Sequence, residues 1–399
     1  MGIGRFAARV YPGADEWSFN RQRNRRMRDY LAEAGLTVAL DQPEASPDGS
    51  PRTHVVIVPM DGPTHANFRP AGGNYFYEVA QSCREYLGDD AVTVFAVEPG
   101  EAPSSWHRRL ITLLLESGAT HLVAQVEKDP EAPQSWWWDA FWAALIPQWN
   151  GVFLGVMFDS SYRWLTIPVR RLARMSDRFV LVDICIPMDG AMVKGRPEVG
   201  PVNMPVSNQS IDLVEAAVGK VDKQYDVSFI GVLYPYRVEA IEACRRHGLT
   251  VDVNPHRADS PNDLQSSQTN QPTYVDYMRG LAQSQLTINF ARSSAGDFYQ
   301  LKTRVLEACL MGCLVLTDDV DRTGLFWESD EFAKFTSPAD LPEVVERLLA
   351  DPESLAAAQQ AARERARQIN ITSFWGGIDE VLKRRGLPLL LDQAESADR

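Results

Sequence analysis

Three charged side chains, Lys302, Arg304 and Glu307, stand close together between two apolar runs of the chain. The pattern around them predicts a strand, a polar loop, a short helix and, after Gly312, a second strand over 314–317. The start of such a helix favours a phosphate, because its N–H groups are unpaired and its dipole end is positive. Arg304 and Lys302 would strengthen an anion site, and Glu307 could accept hydrogen bonds from a ribose hydroxyl pair. The alternative is an amphipathic helix whose charges only solvate its outer face.

A second group of candidates surrounds the loop after the apolar run 225–231. Gly231 would let the backbone approach a ligand closely, and Arg237 would lie beside the start of the next helix, near a phosphate. The alternative is that both residues are structural. The residues that we expect to bind a phosphorylated ligand are Gly231, Arg237, Asn289, Arg292, Lys302, Thr303, Arg304 and Glu307.

Four side chains in the first half are candidates for a catalytic base, of which at most one would act. Asp61, Glu127 and Asp159 each end an apolar run, which places a carboxylate at a strand end that faces a crevice. His65 follows in a loop, and the ordinary pKa of histidine, near neutrality, suits proton transfer. The alternatives are that the carboxylates cap helices and that His65 is a surface residue.

Two further features are candidates for binding an acceptor. Gly72 and Gly73 precede a predicted helix, where their N–H groups could hold an anion or a hydroxyl, or form a plain turn. Trp137 and Trp138 belong to an aromatic cluster that is too wide in angle for one core stripe, so we expect some of its rings to be exposed or to pack on a partner surface. The cluster consists of Trp136, Trp137, Trp138, Phe141, Trp142 and Trp149. Indoles stack on sugar rings and also lie at membrane interfaces; the alternative is core packing.

Composition limits the class of protein. At 399 residues we expect two domains. A net charge of -13 argues against a nucleic acid as the main partner. The five cysteines show neither disulfide nor zinc spacing, and no metal-binding motif is present. Neither a signal peptide nor a membrane span is expected. We therefore expect a cytoplasmic protein.

Strand and helix patterns alternate regularly in two halves, which predicts parallel sheets. The predicted helices include 75–87, 104–117 with a serine as its cap, 274–282, 337–349, 352–368 and 373–385. A basic segment, 21–28, opens a helix that ends at Gly35, with either a solvated face or a patch for lipid headgroups or acidic acceptors. The expected units are an N-terminal extension (1–53), a first α/β domain (54–186), a Pro/Gly-rich connector without periodicity (187–224), a second α/β domain (225–372) and a C-terminal helix with its tail (373–399).

The chain resembles GT-B glycosyltransferases over 54–386, most closely the CgeB-like, spore-maturation type group. The resemblance is carried by YDVSFIGVLYPYR (225–237), QLTINFAR (285–292) and above all KTRVLEACLMGCLVLTD (302–318), and more loosely by FRPAGGNYFYEVAQ (68–81). It implies two Rossmann-like doubly wound domains facing a central cleft, with Arg304 on the donor diphosphate and Glu307 on the nucleotide ribose. Many retaining members carry a carboxylate where this chain has Tyr299, so the stereochemical course stays open.

The resemblance implies a metal-independent transferase without a tightly bound cofactor. Its donor would be a nucleotide diphosphate sugar bound in the second domain, and its acceptor a glycan, a lipid-linked glycan or a protein bound in the first, with peripheral membrane contact left open. One alternative is a GT-B-fold nucleotide-sugar epimerase or hydrolase. Another is a non-catalytic two-lobed small-molecule binding protein. A nicotinamide oxidoreductase is disfavoured, because no G-x-G-x-x-G follows a strand.

Overall fold

The computed structural model describes residues 25–36, 53–59, 66–126, 137–157, 163–183, 185–186, 199–200, 202–231, 233–253, 273–292, 299–318 and 322–391. Within these residues, strands and helices alternate in two halves, and each half is built on a five-stranded sheet. The predicted fold class, two Rossmann-like doubly wound domains, is confirmed.

The first sheet consists of apolar strands, four of which are buried along their whole length, as expected of a parallel sheet covered by helices. Its strands are β1 Val55–Val58, β2 Val92–Val94, β3 His121–Gln125, β4 Val152–Met157 and β5 Phe179–Asp183, and a short strand β6 Cys185–Ile186 follows. All pairings are parallel, in the order β2-β1-β3-β4-β5. The helices of this half are α1 25–33, α2 Tyr75–Leu87, α3 Pro103–Glu116, α4 Trp137–Leu145 and α5 Arg163–Met175.

The second sheet repeats this topology. Its strands are β7 Tyr225–Phe229, β8 Val251–Val253, β9 Ser284–Asn289, β11 Leu314–Thr317 and β12 Ala333–Lys334, parallel and in the order β12-β11-β9-β7-β8. The associated helices are α6 Asn208–Val218, α7 Pro235–Arg246, α8 Tyr274–Ala282, α9 Thr303–Leu310, α10 Leu341–Leu349 and α11 Pro352–Arg385. In both sheets the strand order reverses beside the first strand, so a crevice opens between β1 and β3 and another between β7 and β9.

A two-stranded ribbon joins the halves next to α9. Strand β10, Tyr299–Gln300, pairs antiparallel with β6 of the first half, with Tyr299 opposite Ile186 and Gln300 opposite Cys185. Because β10 leads directly into α9, the ribbon ties the start of that helix to the first half.

Helix α11 also belongs to both halves. Its first part packs in the core of the second half, and its last part packs in the core beneath the first sheet. Sequence patterns predicted two separate helices, 352–368 and 373–385, and this is wrong. The polar stretch between them continues the helix because Asn370 is buried and its Oδ1 accepts a hydrogen bond of 2.9 Å from the backbone N–H of Val206.

The expected connector 187–224 contains a helix that the sequence analysis missed. Helix α6 buries Ile211 and Val214, and Ser207 caps its start by accepting a hydrogen bond from the N–H of Ser210. The surrounding prolines and glycines obscured its periodicity.

Two other helix starts differ from the prediction. Helix α3 begins after Ala102 rather than at a serine cap, because Pro103 suits the first turn. Helix α10 begins at Leu341 rather than Ser337, because the Asp340 carboxylate binds the N–H groups of Thr336 and Ser337 and holds them in a turn. The predicted bounds of α2, α8 and β11 agree with the structure.

The N-terminal basic helix packs on the first half. Leu31 and Leu36 are buried in the same core as Trp106, and the Tyr30 hydroxyl lies 2.8 Å from Nδ1 of His107. The arginines of α1 are exposed, which agrees with a solvated basic face. Within the described residues, no helix combines the length and apolar character needed to cross a bilayer.

Candidate functional site

The candidate site lies at the crevice of the second sheet, where β7 and β9 end side by side. Phe229 ends β7, and Gly231 follows it in a conformation with φ +152°, which favours glycine. Asn289 ends β9, and Arg292 follows shortly after it. The crevice at a strand-order reversal is where ligands bind in doubly wound sheets. The topology therefore brings these expected residues together.

Arg237 is buried at this crevice and is held by backbone and ring contacts. Its Nη2 donates to the carbonyl of Arg292 at 2.8 Å, and its Nε donates to the Tyr236 hydroxyl at 2.9 Å. Four aromatic rings lie within cation–π distance of its guanidinium: Tyr234 (4.8 Å), Tyr236 (5.4 Å), Phe229 (5.6 Å) and Phe290 (5.7 Å). These contacts fix the position of a buried positive charge.

Arg304 reaches the same crevice from the first turn of α9. Its half-buried guanidinium lies over the Phe229 ring at 5.5 Å, and its Nη2 would be only 2.9 Å from a Cβ atom on Gly231. Its buried Nε has no hydrogen-bond partner among the described residues. Glycine at 231 therefore leaves the space that Arg304 occupies.

The two guanidiniums repel each other. Burial lowers the pKa of Arg237, and the positive charge of Arg304 lowers it further. A bound anion would relieve this repulsion and would complete the hydrogen bonding of Arg304. The arrangement is therefore chemically suited to a diphosphate.

Glu307, one turn along α9, is 5% exposed and is held by two tyrosines of α8. Tyr274 donates to Oε1 at 2.9 Å, and Tyr277 donates to Oε2 at 2.6 Å. Burial raises the pKa of Glu307, while the hydrogen bonds from Tyr277 and Tyr274 and the charge of Arg304 lower it. A carboxylate has about four lone-pair sites, so two remain for other donors such as ribose hydroxyls. The ribose role of Glu307 stays a prediction.

The start of α9 carries the other expected donor-side residues. Lys302 is its N-cap residue, and its Nζ donates to Oε1 of Gln300 in β10. Burial raises the pKa of Tyr75 of the first half, and the side chain of Thr303 lies near enough to oppose this rise. Asn289 is fully buried, and its Nδ2 lies 3.4 Å from Oγ1 of Thr317 in the next strand. Asn289 thus links two strands beneath the crevice.

The glycine pair of the first half packs tightly. A Cβ atom on Gly72 would be 2.2 Å from the carbonyl of Asn67, and one on Gly73, where φ is +72°, would be 3.3 Å from the side chain of Tyr274. Packing therefore requires glycine at 72, whereas at 73 glycine is favoured by the positive φ and a Cβ atom would make Tyr274 shift by a few tenths of an ångström. Their expected acceptor-side role stays a prediction.

The described aromatic rings of the tryptophan cluster form a core. Trp138, Phe141, Trp142 and Trp149 are each at most 5% exposed, and Trp138 packs edge-on against Trp106 at 5.4 Å between centroids. These four rings belong to the core, so the expectation that some rings of the cluster are exposed now concerns Trp136 and Trp137, whose side chains lie outside the described part of the chain. Trp138 packs in the core, and its expected acceptor-side role stays a prediction.

The remaining expected residues lie outside the described part of the chain. These are the four candidate bases, Asp61, His65, Glu127 and Asp159, together with Trp136 and the side chain of Trp137. In the described part, no group of three or more His, Cys, Asp or Glu residues is arranged to hold a metal ion.

Sequence reasoning missed the tyrosines that hold Glu307. Tyr274 and Tyr277 are three residues apart on a helix and therefore share a face, which is the signal that could have found them. It also missed Glu78, a buried carboxylate of α2 that accepts hydrogen bonds from Ser207 and Ser210. In the sequence Glu78 looks like an ordinary surface residue of an amphipathic helix.

Comparison with known proteins agrees with this architecture. Residues 237–370 match a family model described as glycosyl transferase-like. No curated protein matches the chain. Among solved structures, an α-glucosyltransferase in complex with UDP and a 13-mer DNA has a TM-score of 0.51 at 12% identity, covering 84% of this chain and 99% of that one.

Two further solved structures are similar over most of the chain. The T4 phage β-glucosyltransferase in complex with UDP-glucose has a TM-score of 0.47 at 11% identity, covering 84% of this chain and all (100%) of its own. A glycosyltransferase involved in avilamycin A biosynthesis has a TM-score of 0.43 at 15% identity, covering 83% of this chain and 95% of its own. At such identities the likeness concerns the fold alone. The chain therefore has the GT-B fold, and its second half contains a region that matches a glycosyl transferase-like family.

Proposed function

We propose that this chain transfers a sugar from a nucleotide diphosphate sugar to a hydroxyl acceptor. The observation that carries the proposal is the pair of guanidiniums, Arg237 and Arg304, which converge at the crevice of the second sheet. The family match over 237–370 includes both residues and supports the same activity.

The proposed chemistry follows from where charge develops. The acceptor oxygen bonds to the anomeric carbon as the bond from that carbon to the diphosphate breaks, so negative charge grows on the departing diphosphate. Arg304, with Arg237 and Lys302, would stabilise this charge, which is commonly the largest catalytic effect. Glu307 would hold the ribose and thereby orient the donor.

The stereochemical course decides what else is needed. An inverting reaction requires a base to take the acceptor proton, and the candidates are Asp61, His65, Glu127 and Asp159. A retaining reaction can pass that proton to the departing phosphate. We infer that the acceptor binds on the side of the first half and is a carbohydrate, a lipid-linked glycan or a protein.

Three finer assignments belong to the proposal. The enzyme would work without a metal, because arginine and lysine side chains supply the positive charge. Its motif around Arg304 favours the CgeB-like group, and its net charge of -13 disfavours a nucleic-acid acceptor. Cys83, Cys244, Cys309 and Cys313 are free and buried, which suits a reducing compartment such as the cytoplasm.

A nucleotide panel and two substitutions test the proposal. UDP, GDP, dTDP and CMP are first screened by thermal shift, since a ligand at 100 times its Kd stabilises the native state by about 2.7 kcal/mol. Arg304→Ala is expected to slow transfer, or donor hydrolysis, by about 10²- to 10³-fold. Glu307→Gln is expected to weaken binding of the donor more than it slows the chemical step.

Arg245→Ala is the matched control, because Arg245 lies on the exposed surface of α7 in an ion pair with Glu242. Its rate is expected to equal that of the wild type. A wild-type rate in Arg304→Ala would refute the site. Loss of activity in EDTA, with recovery in Mg²⁺ or Mn²⁺, would refute metal independence. Donor turnover that needs no acceptor would instead favour an epimerase or a hydrolase.

A further inference from the structure

Tyr274 of α8 lies between the first-half loop that contains Gly72 and Gly73 and the proposed donor-binding residue Glu307 of the second half. Its side chain lies 3.3 Å from where a Cβ atom of Gly73 would stand. The hydroxyl at the other end of the same ring donates to Oε1 of Glu307 at 2.9 Å. One rigid ring thus separates the first-half loop from the carboxylate that is proposed to hold the ribose.

The loop itself is fixed by a buried hydrogen-bond network. The N–H of Ala71 donates to Oγ of Ser210 at 2.9 Å, and that hydroxyl donates to Oε1 of Glu78 at 2.7 Å. The N–H and the hydroxyl of Ser207 each donate to Oε2 of Glu78 at 2.7 Å. Glu78 therefore joins the loop and helix α2 to the start of α6, which packs against α8. A fully bonded buried network of this kind holds its members in one geometry.

A second contact aligns the same two surfaces. Burial raises the pKa of Tyr75, at the start of α2, and the side chain of Thr303, at the start of α9, lies close enough to oppose this rise. The first half therefore contacts both the helix that carries Glu307 and the tyrosine that orients its carboxylate. Tyr277 holds the other oxygen of Glu307 at 2.6 Å, so two hydroxyls together determine the plane of the carboxylate.

We propose that Tyr274 is a positioning residue, which sets the orientation of Glu307 for ribose binding according to the position of the first-half loop at Gly73. This inference rests on the proposed function. Without the Tyr274 hydroxyl, the Glu307 carboxylate loses one of its two tyrosine donors and can rotate. With a side chain at 73, the ring of Tyr274 must shift by a few tenths of an ångström, and Glu307 must follow.

The test is the preference for ribose over deoxyribose, which a purely structural role would not change. The Kd values of UDP and 2′-deoxy-UDP, and of the GDP pair, are measured by calorimetry for each variant. The wild type is expected to prefer the ribonucleotide. Tyr274→Phe is expected to reduce this preference by about tenfold, the effect of losing one hydrogen bond to a charged group. Tyr225→Phe is the control, because Tyr225 lies at the amino end of β7, and the crevice lies at the carboxyl end of that strand.

Gly73→Ala is expected to reduce the same preference from the other half of the chain. Gly100→Ala is its matched control, because Gly100 has φ +74°, close to the +72° of Gly73, and nothing lies within 4 Å of its Cβ position. Both alanines strain the backbone alike, but only the one at 73 pushes Tyr274. The double variant Gly73→Ala/Tyr274→Phe is expected to show less than the sum of the two effects, because both act through one contact.

Two results would overturn the proposal separately from the proposed function. Unchanged ribose preference in Tyr274→Phe, in a protein that binds these nucleotides, refutes the positioning role and leaves the transferase proposal standing. Equal effects of Gly73→Ala and Gly100→Ala refute the link to the first-half loop. If the wild type binds none of the four nucleotides, the proposed function fails and the role of Tyr274 fails with it.

Discussion

Replacing Gly231 by alanine tests whether the space beside Arg304 is needed for the proposed diphosphate site. The backbone of Gly231 has φ +152°, and a Cβ atom there would lie 2.9 Å from Nη2 of Arg304 and 3.2 Å from Cζ of Phe229. A carbon atom does not approach a nitrogen atom this closely without one of them moving. The guanidinium is at the end of a flexible side chain, so we expect it to move away from the crevice.

The magnitude follows from two separate costs. Holding alanine in a backbone conformation reserved for glycine costs about 1–3 kcal/mol of folding free energy. Displacing the guanidinium from the diphosphate removes a hydrogen bond to a charged group, which is worth about 1.5–3 kcal/mol. Nucleotide affinity should therefore fall by roughly 10- to 150-fold.

Gly312→Ala separates these two costs. Gly312 also has positive φ (+65°), but nothing lies within 4 Å of its Cβ position. It should lose about 1–2 kcal/mol of stability through backbone strain and no nucleotide affinity. Urea unfolding gives the first quantity, and calorimetry with the nucleotide that binds the wild type gives the second. If Gly231→Ala binds this nucleotide as tightly as Gly312→Ala does, the assignment of Arg304 to the diphosphate is refuted.

Two further predictions concern stability. Burial lowers the pKa of His107 to about 3 and that of His121 to about 4, so below pH 6.5 the unfolded chain binds protons that the native chain does not. As the pH falls from 6.5 to 4, each of these histidines should lower the free energy of unfolding by about 1.4 kcal/mol per pH unit. His121→Asn should make this pH dependence less steep. A free energy of unfolding that stays constant from pH 7 to 5 in urea titrations would contradict the prediction. Gly376 lies in α11, and nothing lies within 4 Å of its Cβ position. Gly376→Ala should therefore raise the free energy of unfolding by about 0.5–1 kcal/mol, because alanine has the higher helix propensity. A free energy of unfolding below that of the wild type would show that this turn of α11 needs glycine.

The repeating fold could be predicted because each strand is encoded locally. Short apolar runs such as Val55–Val58 and Leu314–Thr317 are typical of strands that are covered on both faces of a parallel sheet, and both are buried here. The helices between the strands have a periodic apolar face. The failures occurred where a distant partner overrides local pattern. In the sequence, Asn370 indicates a break in the helix, but in the structure its side chain forms a hydrogen bond with the backbone of Val206. Helix α6 was missed because prolines and glycines surround it in the sequence.

In the proposed site, too, some features follow from the local sequence and others depend on contacts between distant segments. The sequence by itself determined that Lys302, Arg304 and Glu307 share a helix start after a strand, because helix and strand periods fix their spacing. Only the tertiary structure decided that Arg237 and Arg304 meet, that Tyr274 and Tyr277 hold Glu307, and that Gly73 touches Tyr274. These contacts join segments far apart in the chain, and no local propensity specifies which strand ends become neighbours. The order of the strands in the sheet, which reverses beside β7, determines which strand ends lie next to each other.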